Sequence, residues 1–151
     1  MEIEYLTKMK NNPKVGKFEM EGVSEEKIEK LEKEFNIKLP KAYKEFLFLG
    51  GNYSGFGGDW ISDYQCLDWV QANIKESMDS VNLQLKPHFI FGEYNNNQAL
   101  FFFLDEGENP PIYAYYEDKI EENGKEVFYK KTDNSFSDCI DGFIDFTLKG
   151  K

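Results

Sequence analysis

Apolar and polar positions follow two rhythms along the chain, a helical one in the first half and a strand-like one after Pro87. Ile28, Leu31 and Phe35 fall on one helical face, with Glu26/Lys30 and Glu29/Lys33 at i,i+4 on the other. Ser24 in front of them suits an N-cap, Glu25 and Glu26 complement the positive end of the helix dipole, and Val23 with Ile28 forms a hydrophobic staple. This predicts a helix that starts at Ser24 and ends near Asn36. Pro40 suits the first turn of a second helix and drives Leu39 into an extended conformation. Tyr43, Phe46, Leu47 and Leu49 then face the first helix, and Gly50 is expected in the left-handed position that ends many helices. The two helices form a hairpin joined by IKLP.

A third helix is expected from Asp68, because Val70, Ile74, Met78 and Val81 keep helical spacing and Asp68 with Gln71 resembles a capping box. Beyond Pro87 come HFIFGEY, QALFFFLD, PIYAYYE and EVFYKKT, separated by NNN, GENPP and EENG. Runs rich in Phe, Tyr, Ile and Val between such turn residues read as antiparallel strands. Asn123-Gly124 is a hairpin turn by its chemistry, and QALFFFLD, apolar on both faces, belongs at the centre of the sheet. The last element is SFSDCIDGFIDFTLK, capped by Ser135 with Asp138, its stripe made of Phe136, Ile140, Phe143, Ile144 and Leu148. Helices first, strands next and one closing helix give an α+β domain: an N-terminal helical hairpin, a central antiparallel sheet and a C-terminal helix packed on it.

Length and composition sharpen this outline. A chain of 151 residues with no linker, repeat or low-complexity tract is expected to be one domain, residues 1–151. Its 14 Phe, 9 Tyr and 2 Trp suit a dense core that needs no metal or disulfide staple. Cys66 and Cys139 lie far apart, outside any CxxC pattern, and read as reduced core or near-core thiols. The start MEIEYLTKMK has neither the basic n-region nor the apolar h-region of a signal peptide, and no apolar run reaches membrane-spanning length. A cytoplasmic location is expected, with no membrane partner.

Charge narrows the function classes. With 18 Lys plus Arg against 28 Asp plus Glu the net charge is −10. Nucleic-acid affinity comes mainly from cationic contacts to phosphate, so a nucleic-acid partner is not expected. A basic protein surface is attracted instead.

The stretch GGNYSGFGG, Gly50 to Gly58, packs five glycines into nine residues and raises the question of a phosphate loop. Such loops follow a strand, open a helix and carry Lys with Ser or Thr. This one follows a helix, lacks Lys and matches neither GxxxxGK[ST] nor GxGxxG. His88 is the sole histidine, so any His-based metal site or nucleophilic triad rests on it alone, and a strand-edge position beside Pro87 is the expectation. Asp105, Glu106 and Glu108 fall on a turn after a strand, and Glu117, Asp118, Glu121 and Glu122 flank Asn123-Gly124, but DEGEN lacks the ligand order of a calcium loop. No cofactor, metal or catalytic set is expected.

The series Ile28-x-x-Leu31-Glu32, Ile37-x-Leu39-Pro40-x-x-Tyr43-x-x-Phe46-Leu47 and Gly50-Gly51 resembles the signature of the SUKH superfamily, which includes bacterial toxin-immunity proteins and eukaryotic cell-wall-assembly regulators. The most motif-like part spans residues 22–58. Members commonly place Asn just before the glycine pair, whereas here Leu49 precedes it and Asn52 follows. The resemblance implies an α+β fold and a protein that works by binding. For bacterial members it implies neutralisation of a cognate polymorphic toxin, often a nuclease. The eukaryotic relatives imply the alternative, a scaffold or regulatory interaction domain. The family has no catalytic motif to carry over.

A cognate toxin with a basic surface is therefore the expected partner, met by aromatic anchors within a carboxylate rim. The candidate contacts are Asp59, Trp60, Asp63 and Tyr64 after the glycine loop, and Glu93, Tyr94, Asp105, Glu106 and Glu108 at strand ends.

Overall fold

A computed structural model describes residues 1–150. The expected helices form where their caps stand. α2 spans Glu25–Phe35, with the Ser24 hydroxyl accepting from the Lys27 N–H and Asn36 closing it in the left-handed region. α3 spans Lys41–Gly50 behind Pro40. α4 spans Leu67–Ser80, preceded by a 3-10 turn over Tyr64–Cys66, and α5 spans Phe136–Lys149, capped by the Ser135 hydroxyl. A short helix not anticipated from sequence, α1, covers Thr7–Asn11.

Four antiparallel strands, β1 (His88–Tyr94), β2 (Gln98–Phe103), β3 (Ile112–Glu122) and β4 (Lys125–Asp133), lie in the order β1-β2-β3-β4. Alternation along the strands sends side chains to two cores. Phe89, Phe91, Leu100, Phe102, Ile112 and Ala114 face α1, α2, α3 and α5, while Ile90, Ala99, Phe101, Phe103 and Tyr115 face α4. β2 is thus covered on both faces, as its unbroken apolar run required. β3 and β4 run on past β2 as a two-stranded ribbon, turning at Asn123 (φ 52°) and Gly124 (φ 78°), where the Asn-Gly pair supplies the positive φ values of a tight hairpin.

Tyr43 stands at the centre of the larger core, its ring against Phe46, Phe89, Phe91, Phe102 and Phe136. Two residues on, Glu45 is fully buried and locks the N-terminal segment. Its carboxylate accepts from the backbone N–H groups of Glu4, Tyr5 and Leu6 and pairs with Lys41 at 2.9 Å. That segment brings Leu6, Met9 and Val15 into the core. Burial opposes the Glu45 charge, but these donors together hold its carboxyl below the usual range.

Several sequence expectations are corrected. Gly50 lies inside α3, and neither it nor Gly51 has a positive φ; Gly51 is ordinary right-handed helix at φ −63°. Both are glycine for want of space. A Cβ on Gly50 would stand 2.8 Å from the Met9 methyl, and one on Gly51 2.8 Å from the Leu47 carbonyl oxygen. The residue that departs from the family pattern, Asn52, donates to the Gly22 carbonyl at 3.0 Å and accepts from Gln65. Asp68 and Gln71 do not form a capping box, since Cys66 occupies the N-cap position of α4 without a side-chain cap. The Gln71 amide instead reaches Ile90, accepting from its N–H at 3.0 Å and donating to its carbonyl at 2.6 Å, in place of a neighbouring strand. Cys139 is buried as expected, but Cys66 is exposed. Leu148 leaves the packed stripe of α5, because the helix runs past the core and its last turn lies in solvent.

Candidate functional site

The glycine loop solves a threading problem. Gly55 (φ 83°) and Gly57 (φ 84°) adopt conformations that L side chains rarely take, which lets Phe56 turn inward between them onto the edge of Phe46. The chain then runs along the outer edge of β1. Ile61 pairs with Gly92, the Ser62 N–H donates to the Phe91 carbonyl at 3.0 Å, and the Tyr64 N–H donates to the Gly51 carbonyl at 2.7 Å. The close approach depends on Gly92, because a Cβ there would lie 1.8 Å from the Trp60 carbonyl oxygen.

This course sets Trp60 against Tyr94 at the end of β1. The rings stack at 5.4 Å between centroids with an interplanar angle of 19°, and Tyr94 stays exposed. Asp59 is exposed at the loop tip and has no ion-pair partner among the described residues. Glu93 accepts from the Asn96 N–H at 2.9 Å and so braces the β1–β2 turn. Asp63 begins the 3-10 turn, and partial burial pushes its carboxyl up. The Tyr64 phenol is raised mainly by burial, with Glu34 and Asp68 adding to it. Asp59, Trp60, Asp63, Tyr64, Glu93 and Tyr94 therefore gather along one edge and end of the sheet.

Asp105, Glu106 and Glu108 do not join them. They lie in the β2–β3 connection at the opposite end of β2, about 20 Å away by the rise of a six-residue strand. There Lys86 pairs with Asp105 at 3.0 Å and covers the Phe103 ring at 4.5 Å, while the Tyr113 hydroxyl donates to Glu106 at 3.1 Å. The Tyr113 phenol is raised by burial and then by that bond. Glu108 contributes its backbone, whose carbonyl accepts from the Ala42 N–H at the start of α3 at 2.9 Å.

Phe146, which sequence reasoning missed, is the most exposed large apolar side chain of the glycine-loop end, at 79%. Its signal was legible, for it falls off the Phe136–Ile140–Ile144 stripe that faces the core. Together with Phe143 from α5 and with Phe56, Gly57, Gly58 and Trp60 it lines an open hollow of about 550 Å³. A second hollow of about 440 Å³ lies between Phe35, Met78, Leu85 and His88. His88, the first residue of β1, is half-buried with Nδ1 3.0 Å from the Lys86 carbonyl, and burial holds its imidazole below the ordinary range.

Among the described residues no cluster of three or more His, Cys, Asp or Glu is placed to hold a metal ion, and no helix is long and apolar enough to cross a membrane. The loop end presents half-buried Trp60 stacked on exposed Tyr94, a mostly apolar hollow and the exposed Asp59 carboxylate. Curated proteins give no match to the chain. The SMI1 / KNR4 family (SUKH-1) model matches residues 22–142, from the turn before α2 to the middle of α5, and with most of its length so matched the chain belongs to that family.

Proposed function

We propose that the chain is a non-enzymatic immunity protein that binds and neutralises a cognate bacterial toxin through the surface around Trp60 and Tyr94. The observation that carries this reading is exposed Tyr94 stacked on half-buried Trp60 beside Asp59, on a chain of net charge −10. Stacked aromatics offer contact area at little cost in side-chain entropy, and opposite charge speeds encounter with a basic partner such as a nuclease. Membership of the SUKH-1 family supports the same reading. Catalysis through the carboxylates has less support, since Asp105 is paired with Lys86 and Glu106 is bonded to Tyr113.

Co-expression with the toxin encoded beside its gene tests the proposal. Growth should be rescued, and the two purified chains should elute together in size-exclusion chromatography. Absence of both rescue and complex with every adjacent toxin overturns it. Recovery of ordinary cellular proteins as stoichiometric partners in place of a toxin turns the reading to a scaffold or regulatory domain.

A further inference from the structure

The end of α5 is built for contact it does not make within the chain. Phe136, Ile140 and Ile144 are fully buried, yet the last turns carry Phe146 at 79% exposure and Leu148 at 39%. Helix interiors do not need exposed phenylalanine, and single exposed apolar residues elsewhere, such as Phe18, need no explanation. Here the exposed side chains cluster. Phe146, Phe143, Trp60 and Phe56 wall the hollow of about 550 Å³ over Gly57 and Gly58, and no heavy atom lies within 4 Å of where a Gly58 Cβ would stand. The volume lies within the range of ligand sites, about 300–1,000 Å³, but the walls are mostly apolar, carry no charged side chain, and their one hydroxyl, that of Thr147, already donates to the Phe143 carbonyl.

We infer that this hollow is an anchor pocket for a cationic segment of a partner protein that carries one bulky apolar side chain. The inference deepens the protein-binding reading above and rests on it. Charge selects the occupant. Asp59 at the loop tip has no ion-pair partner among the described residues and Glu93 flanks Tyr94, whereas Asp145, next to Phe146, is held by Lys8 at 2.9 Å. Among the described residues Lys149 is the cation in the last turn of α5, and it stands against a chain whose net charge is −10. A second copy brings the same −10 and is repelled, as is an anionic membrane surface. A lysine- or arginine-rich segment is attracted to the rim while its apolar residue displaces water from the hollow.

The test is a titration of the ¹⁵N-labelled full chain with three end-blocked heptapeptides, followed by NMR. One has lysines around a central phenylalanine, one has alanine at the centre, and one has glutamates in place of the lysines. Saturable shifts are expected for the first at Gly57 to Trp60, Tyr94 and Phe146 to Gly150. Affinity should fall at least tenfold with the alanine-centred peptide, and binding should vanish with the glutamate one. Phe146→Ser should weaken the first peptide at least tenfold, and Thr147→Trp, which fills the hollow from α5, should do the same; unperturbed spectra elsewhere verify the fold of both variants. The pocket is overturned by any of three outcomes: no saturable shift for the phenylalanine peptide, equal binding of the alanine-centred one, or concentration-dependent shifts of the same residues without peptide, which point to a second copy. The peptides carry no toxin sequence, so their failure removes the pocket and leaves toxin neutralisation to the co-expression result.

Discussion

The two ends of the sheet use the same residue types to opposite effect. At the β2–β3 end two of the three acids are engaged inside the chain and the third by its backbone: Lys86 pairs with Asp105 and covers Phe103, Tyr113 engages Glu106, and the Glu108 carbonyl caps α3. At the glycine-loop end half-buried Trp60 stacks on exposed Tyr94, and Asp59 has no ion-pair partner among the described residues. Acid and aromatic content therefore does not by itself mark a binding surface. On the proposed function, recognition falls to the glycine-loop end, where Tyr94 and Asp59 stay exposed and Asp59 has no ion-pair partner among the described residues.

The strongest way to break the contrast is to unseat the loop. Gly92→Ala sets a methyl where the Trp60 carbonyl stands, and is expected to cost about 3 kcal/mol as an overpacked site with a lost backbone pairing. Urea unfolding monitored by circular dichroism measures it, and the variant should also lose the Trp60–Tyr94 contact. Wild-type stability with the stack intact contradicts the account of that edge.

At the other end the expected losses are smaller and purely structural. Tyr113→Phe deletes the hydroxyl bond to Glu106 and should lower stability by about 1 kcal/mol in the same assay, with binding of the partner unchanged. A partner affinity that falls with this variant places the interface at the wrong end.

The smallest effect is a pH slope. His88 has its folded-state pKa lowered by burial, so the unfolded chain takes up the proton first. Stability is full above the ordinary histidine value, declines as pH falls through that value, and levels off below the depressed one. Thermal melts between pH 8 and pH 5 should show this shallow decline, and His88→Asn should flatten it, an unambiguous comparison because the chain has one histidine.

Much of the fold was legible because its signals are local. Ser24 and Ser135 announce their helices, Asn123-Gly124 its hairpin, and the alternating or continuous Phe and Tyr runs their strands. What escaped depends on contacts distant in sequence. The N-terminal segment carries only a five-residue helix and is held by Glu45, some forty residues away. Gln71 looked like a cap and is a clamp on Ile90. Gly50 looked like a left-handed stop, and both it and Gly51 are instead places where Met9 and Leu47 leave no room. Glu93 and Tyr94 end β1 and Asp105, Glu106 and Glu108 follow β2, as their turn signals suggested, but sequence does not say which end of the sheet each loop reaches, so two separate groups were read as one surface.

The central claim is that recognition belongs to the glycine-loop end alone. Isothermal titration of the toxin encoded beside the gene, into the wild type, the double variant Trp60→Ala/Phe146→Ser, and the double variant Asp105→Asn/Glu106→Gln, tests it most directly. Loss of two hot-spot aromatics should weaken binding at least a hundredfold, while the carboxylate pair at the far end should change it less than threefold. Equal losses at both ends, or a larger loss for the Asp105/Glu106 variant, contradict the claim.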